Sequence, residues 1–284
     1  MQVPAVLAPI VDLVFPPRCP LCGAGLVAQS GLCADCWGEL AIPGEPCCAA
    51  CQRPFPPELA GGDAVCAPCL AEPPSHDGIA AGTLYNDASR RLVLAFKHGR
   101  RIALAGLLAR LIGARLPAQV DAGWVFVPVP LHRWRLWRRG FNQSALLARE
   151  LARARQGSVL VDALLRRKAT PMLGGMGRAA RMRALSGAIT VNPRQAGSLH
   201  GKSVLLVDDV LTSGSTSDAC VKALADNERD LEAWLMRDAG LSLREAKTVI
   251  SHGFKHLLRE RDAAAGELAQ LAESLKRRGA ALTA

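Results

Sequence analysis

Residues 204–216 read VLLVDDVLTSGST, and their types fall in an order that can hold a sugar phosphate. Four apolar residues end in Asp208 and Asp209, and Thr212, Ser213, Gly214, Ser215 and Thr216 follow closely. Ligands of open α/β sheets sit at the carboxyl ends of the strands. Two carboxylates placed there can accept hydrogen bonds from ribose 2′- and 3′-hydroxyls. A small-residue turn with a glycine lets backbone N–H groups approach a phosphate, and a helix beginning there adds a favourable dipole. The same acids would help hold Mg2+ if the sugar carried pyrophosphate. The phosphate loop GxxxxGK[ST] is absent, which argues against that cradle. A plain strand-turn-helix connection capped by Ser or Thr would not call for adjacent acids.

Other basic positions could join such a site. Arg133, Arg135, Arg138 and Arg139 lie in VPVPLHRWRLWRRGFNQ (127–143), read as one loop with no acid among them. Guanidinium forks match pyrophosphate. With Trp134 and Trp137 interleaved, the same loop also suits nucleic acid, and both readings stand. Lys97 and His98 precede Gly99 in FKHG, as a phosphate contact or a solvated helix end. RRKATPMLGGMGRAARMR (166–183) reads as a mobile loop carrying Arg178, Arg181 and Arg183, and His132 as a surface residue.

Nine of the ten cysteines lie between Cys19 and Cys69. Eight form CxxC pairs: Cys19/Cys22, Cys33/Cys36, Cys48/Cys51 and Cys66/Cys69. A closed four-sulfur shell is a structural Zn2+ site, so eight thiolates suit two zincs. Sequential pairing gives one site from Cys19, Cys22, Cys33 and Cys36 and another from Cys48, Cys51, Cys66 and Cys69; interleaved pairing also fits the spacing. No His or Glu ligand leaves an open position, so the zinc is structural. Metal binding and folding are expected to be coupled. Cys47 is surplus, and Cys220 lies among apolar residues and reads as core.

The elements that must position these groups follow from patterning. The chain has 284 residues, half of them hydrophobic, and a net charge of +10. The charge favours polyanionic or phosphorylated ligands. No apolar run reaches the ~18–20 residues of a membrane span. AVLAPIVDLVF (5–15) lacks a basic leader and contains Asp12, so it reads as a packing helix and not as an export signal. A reducing, cytoplasmic location is expected, where clustered cysteines bind metal. Three regions separate: 1–75, rich in Cys and Pro; 76–225, alternating strands and helices; and 226–284, a helical tail. WVFVPVPL (124–131) and SVLLVDDVL (203–211) read as buried strands. Helices are expected on either side of Gly99, over 141–154 and over 216–225. Strands without polar alternation suit a parallel sheet covered on both faces. In the tail, Leu231, Trp234, Leu235, Ala246, Val249 and Ile250 have helical spacing, and Gly240, Gly253 and Gly266 divide it into short helices.

VLLVDDVLTSGST closely resembles the signature of type I phosphoribosyltransferases, which bind phosphoribosyl pyrophosphate (PRPP). FPPRCPLCG (15–23), LCADCW (32–37), FKHGRR (96–101) and VPVPLHRWRLWRRGFNQSALLARELA (127–152) together with it resemble the competence protein F family over residues 1–225. The resemblance implies an α/β chain: an N-terminal double zinc ribbon, then a type I phosphoribosyltransferase-like parallel sheet with helices on both faces. It implies a part in natural transformation, handling incoming single-stranded DNA with a competence helicase and a DNA-processing protein. Carried over, Asp208 and Asp209 bind ribose, Thr212 to Thr216 the 5′-phosphate, and the arginines of 133–139 pyrophosphate with Mg2+. An enzyme of this kind would transfer phosphoribosyl from PRPP, its charge at C1 stabilised electrostatically; no general base stands out. The competing readings are a non-catalytic zinc-ribbon protein that binds nucleic acid and a PRPP-sensing regulator. After residue 225 the chain departs from the family's pattern: no apolar strand follows, so the sheet is expected to lack its last strand and the helical tail to be atypical.

Overall fold

The computed structural model describes residues 12, 14–56, 58, 64–98, 101–168, 180, 184–185, 187–212, 214–237, 242–244 and 246–247. They belong to two compact units, one within Met1–Gln195 and Ser203–Ala223, the other within Ala196–Lys202 and Leu224–Ala284. Among the described residues, no helix is long and apolar enough to cross a membrane.

The first unit begins with a cysteine-rich module built from the same device twice. Cys19 and Cys22 sit in a turn closed by Gly23 N–H donating to Cys19 O (2.9 Å) and flanked by the bridge Arg18–Gly25. Cys48 and Cys51 sit in the matching turn, with Gln52 N–H on Cys48 O (2.8 Å) and the bridge Cys47–Pro54. Gly23 and Gln52 occupy the same place four residues after the first cysteine, and both take positive φ, 79° and 55°. Gln in that region is uncommon, so the turn imposes the conformation. The second pair of each half opens a short helix: α1 (Ala34–Gly38) follows Cys33 and α2 (Ala67–Ala71) follows Cys66.

Next come α3 (Asp87–His98), α4 (Leu104–Gly113), β1 (Val125–Pro128), α5 (Arg133–Arg139), α6 (Gln143–Arg155), β2 (Ser158–Val159), β3 (Leu164–Arg166) and β4 (Ile189–Val191). α7 (Ala196–Leu199) lies in the second unit; β5 (Val204–Val207) and α8 (Ser215–Arg237) follow. β1 lies between β2 and β5 in a parallel sheet, with Val125 opposite both Ser158 and Val204, and Pro128 opposite Val207. All four β1 residues are buried, so both faces of that strand are covered. α6 is the helix of the β1-to-β2 crossover that a parallel pair requires. Phe96 of α3, Leu107 and Leu111 of α4, Phe126, Leu147 and Leu151 of α6, and Val207 share one core. Where α6 turns into β2, a side chain on Gly157 would lie 2.4 Å from the Phe126 ring.

The cysteine module belongs to that core. Leu40 is buried within it, and Leu21 and Leu32 pack against it. Leu84 N–H donates to Ala41 O (2.7 Å), Asn86 Nδ2 to Glu39 O (2.8 Å) and Arg101 Nη1 to Pro20 O (2.6 Å), while Arg91 pairs with Glu39.

Three local expectations change. The arginine loop is a helix, α5: His132 Nδ1 accepts the Trp134 N–H, Gly140 (φ 83°) closes the C-terminus, and RWRLWRR contains no residue that interrupts a helix. β3 and β4 form an antiparallel pair, Leu164 opposite Val191, whose three-residue strands are too short to show a period of two. The loop expected from residue 166 thus begins on a strand. α8 runs 23 residues, through the expected boundary at 225. Among the described residues no strand follows Val207. Gly99, Ser213, Arg178, Arg181, Arg183, Gly240, Val249, Ile250, Gly253, Gly266 and most of 5–15 lie outside the described residues, as do the side chains of Leu231, Trp234 and Leu235.

Candidate functional site

Two constellations carry chemistry. The first is the pair of cysteine tetrads. Cys19, Cys22, Cys33 and Cys36 form one, and Cys48, Cys51, Cys66 and Cys69 the other; within each, all sulfurs lie within 4.8 Å of one another. The grouping is sequential. A tetrahedral four-thiolate zinc site with Zn–S of about 2.3 Å places its sulfurs about 3.8 Å apart. Cys22 Sγ lies 3.5 Å from Cys33 Sγ, and Cys51 Sγ 3.7 Å from Cys66 Sγ, so the tetrads are compatible with two structural zinc ions. Burial pushes the Cys19 and Cys48 thiols up, but backbone N–H groups donating to them outweigh it and bring both down to about 6. Burial and neighbouring thiols push Cys36 up and raise Cys69 to about 12. Four thiols this close cannot all ionise without a cation among them. Cys47 joins neither tetrad; its thiol and N–H turn to the Glu45 carboxylate.

The second constellation lies at the carboxyl end of β5. Asp208 Oδ1 accepts two hydrogen bonds, from Ser144 Oγ (3.0 Å) and the Asp209 N–H (2.9 Å). Asp209 Oδ1 pairs with Lys97 Nζ at 3.0 Å. Each partner is delivered by a different element. Lys97 lies in the last turn of α3, beside the fully buried Phe96. Ser144 begins α6, whose cap Asn142 accepts the Ser144 N–H (3.0 Å) and donates to Val129 O (3.0 Å), fastening the helix start to the end of β1. Val129 N–H in turn donates to Val207 O (2.9 Å), so the ends of β1 and β5 are locked side by side. Buried Gln143 accepts from Arg139 Nη1 (2.9 Å) and reaches the Lys97 carbonyl at 3.5 Å.

The four arginines of 133–139 divide. Arg139 is partly buried: burial pulls its guanidinium down, and the Asp209 charge opposes that. Arg133, Arg135 and Arg138 are exposed, with Trp134 (66 %) and Trp137 (77 %) among them, their rings edge-on at 5.6 Å. Thr212 is exposed, Gly214 has φ 75°, and Ser215 and Thr216 open α8. Asp218 N–H closes the first turn on Gly214 O (2.8 Å). Cys220 is buried, and burial pushes its thiol up, with the Asp208 charge adding. The sequence reading missed Gln143 and Ser144, two polar residues on the buried side of α6 at its start; Asn142 as a cap was the available signal. Lys97 meets a carboxylate in place of either expected role.

Burial of its carboxyl, then the Asp209 charge, raises Asp208 from 3.8 to about 6. A carboxyl raised on folding contributes stability below its unfolded value that is lost as pH rises through its folded value. The window runs from about 4 to about 6. Asp208→Asn keeps an acceptor for Ser144 and removes the charge. It is expected to exceed the wild type in stability at pH 8 by on the order of 1–2 kcal/mol, the gap narrowing by pH 5, in urea melts. For the tetrads, elemental analysis should find about two zincs per chain, and Cys22→Ser or Cys51→Ser about one each. A folded, metal-free wild-type module contradicts this.

A double zinc ribbon domain model matches residues 10–73. Competence protein F of Haemophilus influenzae is 30% identical over 224 residues, 76% of this chain and 95% of the relative. The DNA utilization protein YhgH of Escherichia coli K12 is 29% identical over 227 residues, 76% of this chain and 93% of the relative. YhgH of Salmonella typhimurium is 30% identical over 220 residues, 74% and 84%. No solved structure matches. The double zinc ribbon match contains both tetrads, and at 30% identity over 95% of Competence protein F the chain belongs to the competence protein F family.

Proposed function

We propose that this protein binds a phosphorylated ribose of the PRPP class at the end of β5 and handles single-stranded DNA through α5 during DNA uptake. One observation carries the reading. β1 and β5 are parallel neighbours in register from Val125–Val204 to Pro128–Val207, so the acid pair and the arginine helix leave the same edge of the sheet. That edge is where α/β sheets bind ligands. Asp208 and Asp209 would take the ribose hydroxyls, Thr212, Ser213, Gly214, Ser215 and Thr216 the 5′-phosphate, and Arg139, turned toward Asp209, a pyrophosphate group. Mg2+ would come bound to the pyrophosphate. The outward residues of α5 suit a polyanion with exposed bases: arginines meet phosphates and the tryptophans offer stacking faces. The names of the relatives, a competence protein and DNA utilization proteins, support the DNA part. The helicase and DNA-processing partners, and the cytoplasmic site of action, belong to the same reading. Phosphoribosyl transfer is left to an acceptor that no feature of the described residues identifies.

Calorimetric titration with ribose 5-phosphate is expected to give saturable heat with the zinc-loaded protein. Asp208→Asn with Asp209→Asn should weaken it about tenfold or more, the loss of two charged hydrogen-bond acceptors. Equal affinity in wild type and double variant would move the ligand elsewhere. For DNA, fluorescence anisotropy with an oligothymidine should show affinity falling steeply with salt. Replacing Arg133, Arg135 and Arg138 by Ala should flatten the log–log slope by up to about 2, at about 0.7 for each phosphate no longer neutralised. An unchanged slope would remove α5 from the DNA site.

A further inference from the structure

The acid pair already has a cation, and it comes from the chain itself. Lys97 Nζ lies 3.0 Å from Asp209 Oδ1, and the pair is shielded: the lysine side chain is 23% exposed and the aspartate 10%. Asp208 Oδ1 is taken by Ser144 and by the Asp209 N–H. The root of Lys97 is anchored by fully buried Phe96 and by the Gln143 amide at its carbonyl. Arg139, also held by Gln143, and Arg166 bring further positive charge toward the two carboxylates. A small divalent ion such as Mg2+ needs several oxygens at about 2.0–2.1 Å with near-octahedral geometry. Here one carboxylate oxygen carries an ammonium and another carries two N–H or O–H donors. A free divalent ion bridging these two oxygens would have to displace Lys97 and compete with the donors that fix Asp208.

We infer that Lys97 is a specificity-determining residue of this site: a tethered counter-cation that excludes free divalent ions from Asp208 and Asp209 and leaves them to neutral hydroxyl donors. The inference rests on the ribose-binding reading for its consequence, since a sugar diol donates hydrogen bonds without carrying charge. It refines that reading, because a metal then enters only on the ligand's own phosphates and does not reside on the acids. The lysine's part can be tested apart from the sugar.

The probe is Mn2+ alone, followed by water-proton relaxation, with the zinc-loaded full chain. Wild type is expected to bind Mn2+ no more tightly than Asp208→Asn/Asp209→Asn, which reports the surface background. Lys97→Met, similar in length and accommodated by a partly buried site, should bind it about tenfold or more tightly than wild type, because two adjacent carboxylates then lack a counter-charge. Lys97→Arg should stay near wild type, and Asp209→Asn added to Lys97→Met should return binding to background. Thermal melts confirm that the variants compared are folded, and Lys97→Arg shows that charge and not packing sets the effect. Equal Mn2+ affinity in wild type and Lys97→Met overturns the inference, as does a gain that survives Asp209→Asn. If ribose 5-phosphate fails to bind wild type while the Mn2+ pattern holds, the ligand reading falls and the role of Lys97 stands.

Discussion

Two carboxylates on consecutive residues repel each other, and where they are shielded, as at the end of β5, water does little to screen them. The fold settles that conflict with groups from separate elements. Lys97 from α3 neutralises Asp209, and Ser144 from α6 with the Asp209 N–H holds Asp208. Gln143 links the end of α3 to Arg139 of α5. Three stretches distant in sequence, the end of α3, residues 139–144 and the end of β5, therefore have to meet within hydrogen-bond distance. The core of Phe96, Leu107, Leu111, Phe126, Leu147 and Leu151 is what makes them meet, because it clamps α3, α4, α6 and β1 together. The side chain-free space at Gly157 and the Asn142 bridge to Val129 set the two ends of α6 relative to β1.

The cysteine module obeys a related constraint by another route. It has few apolar residues of its own, and thiols packed this closely ionise together only around a cation. What apolar surface it has is shared. Leu21, Leu32 and Leu40 face the core that positions Lys97, and Arg101 and Asn86 reach back to module carbonyls.

Much of this was legible in the sequence, and the reasons for the remainder are physical. CxxC spacing announces its chemistry because a metal shell demands close sulfurs, so the cysteines could be named from spacing alone. Only the order of pairing needed space, and it came out sequential. β1 and β5 were visible because they lie within longer unbroken apolar runs; β3 and β4, three residues each, carried no period to see. The basic run at 133–139 was plain, yet its helical form turns on His132 and Gly140 as caps. That Arg139 faces inward while its neighbours face out depends on Gln143, four residues on. Lys97 could not be matched to Asp209 by inspection, because the pairing spans more than a hundred residues and rests on tertiary packing alone.

The ion pair between Lys97 and Asp209 can be observed directly through the ammonium groups of ¹⁵N-labelled lysine by heteronuclear NMR. Against the exposed lysines, whose protons exchange rapidly with water, Lys97 should stand out as a slowly exchanging ammonium signal. It should disappear in Asp209→Asn and move when ribose 5-phosphate is added. A Lys97 ammonium that exchanges like the surface lysines and ignores both changes would contradict the account.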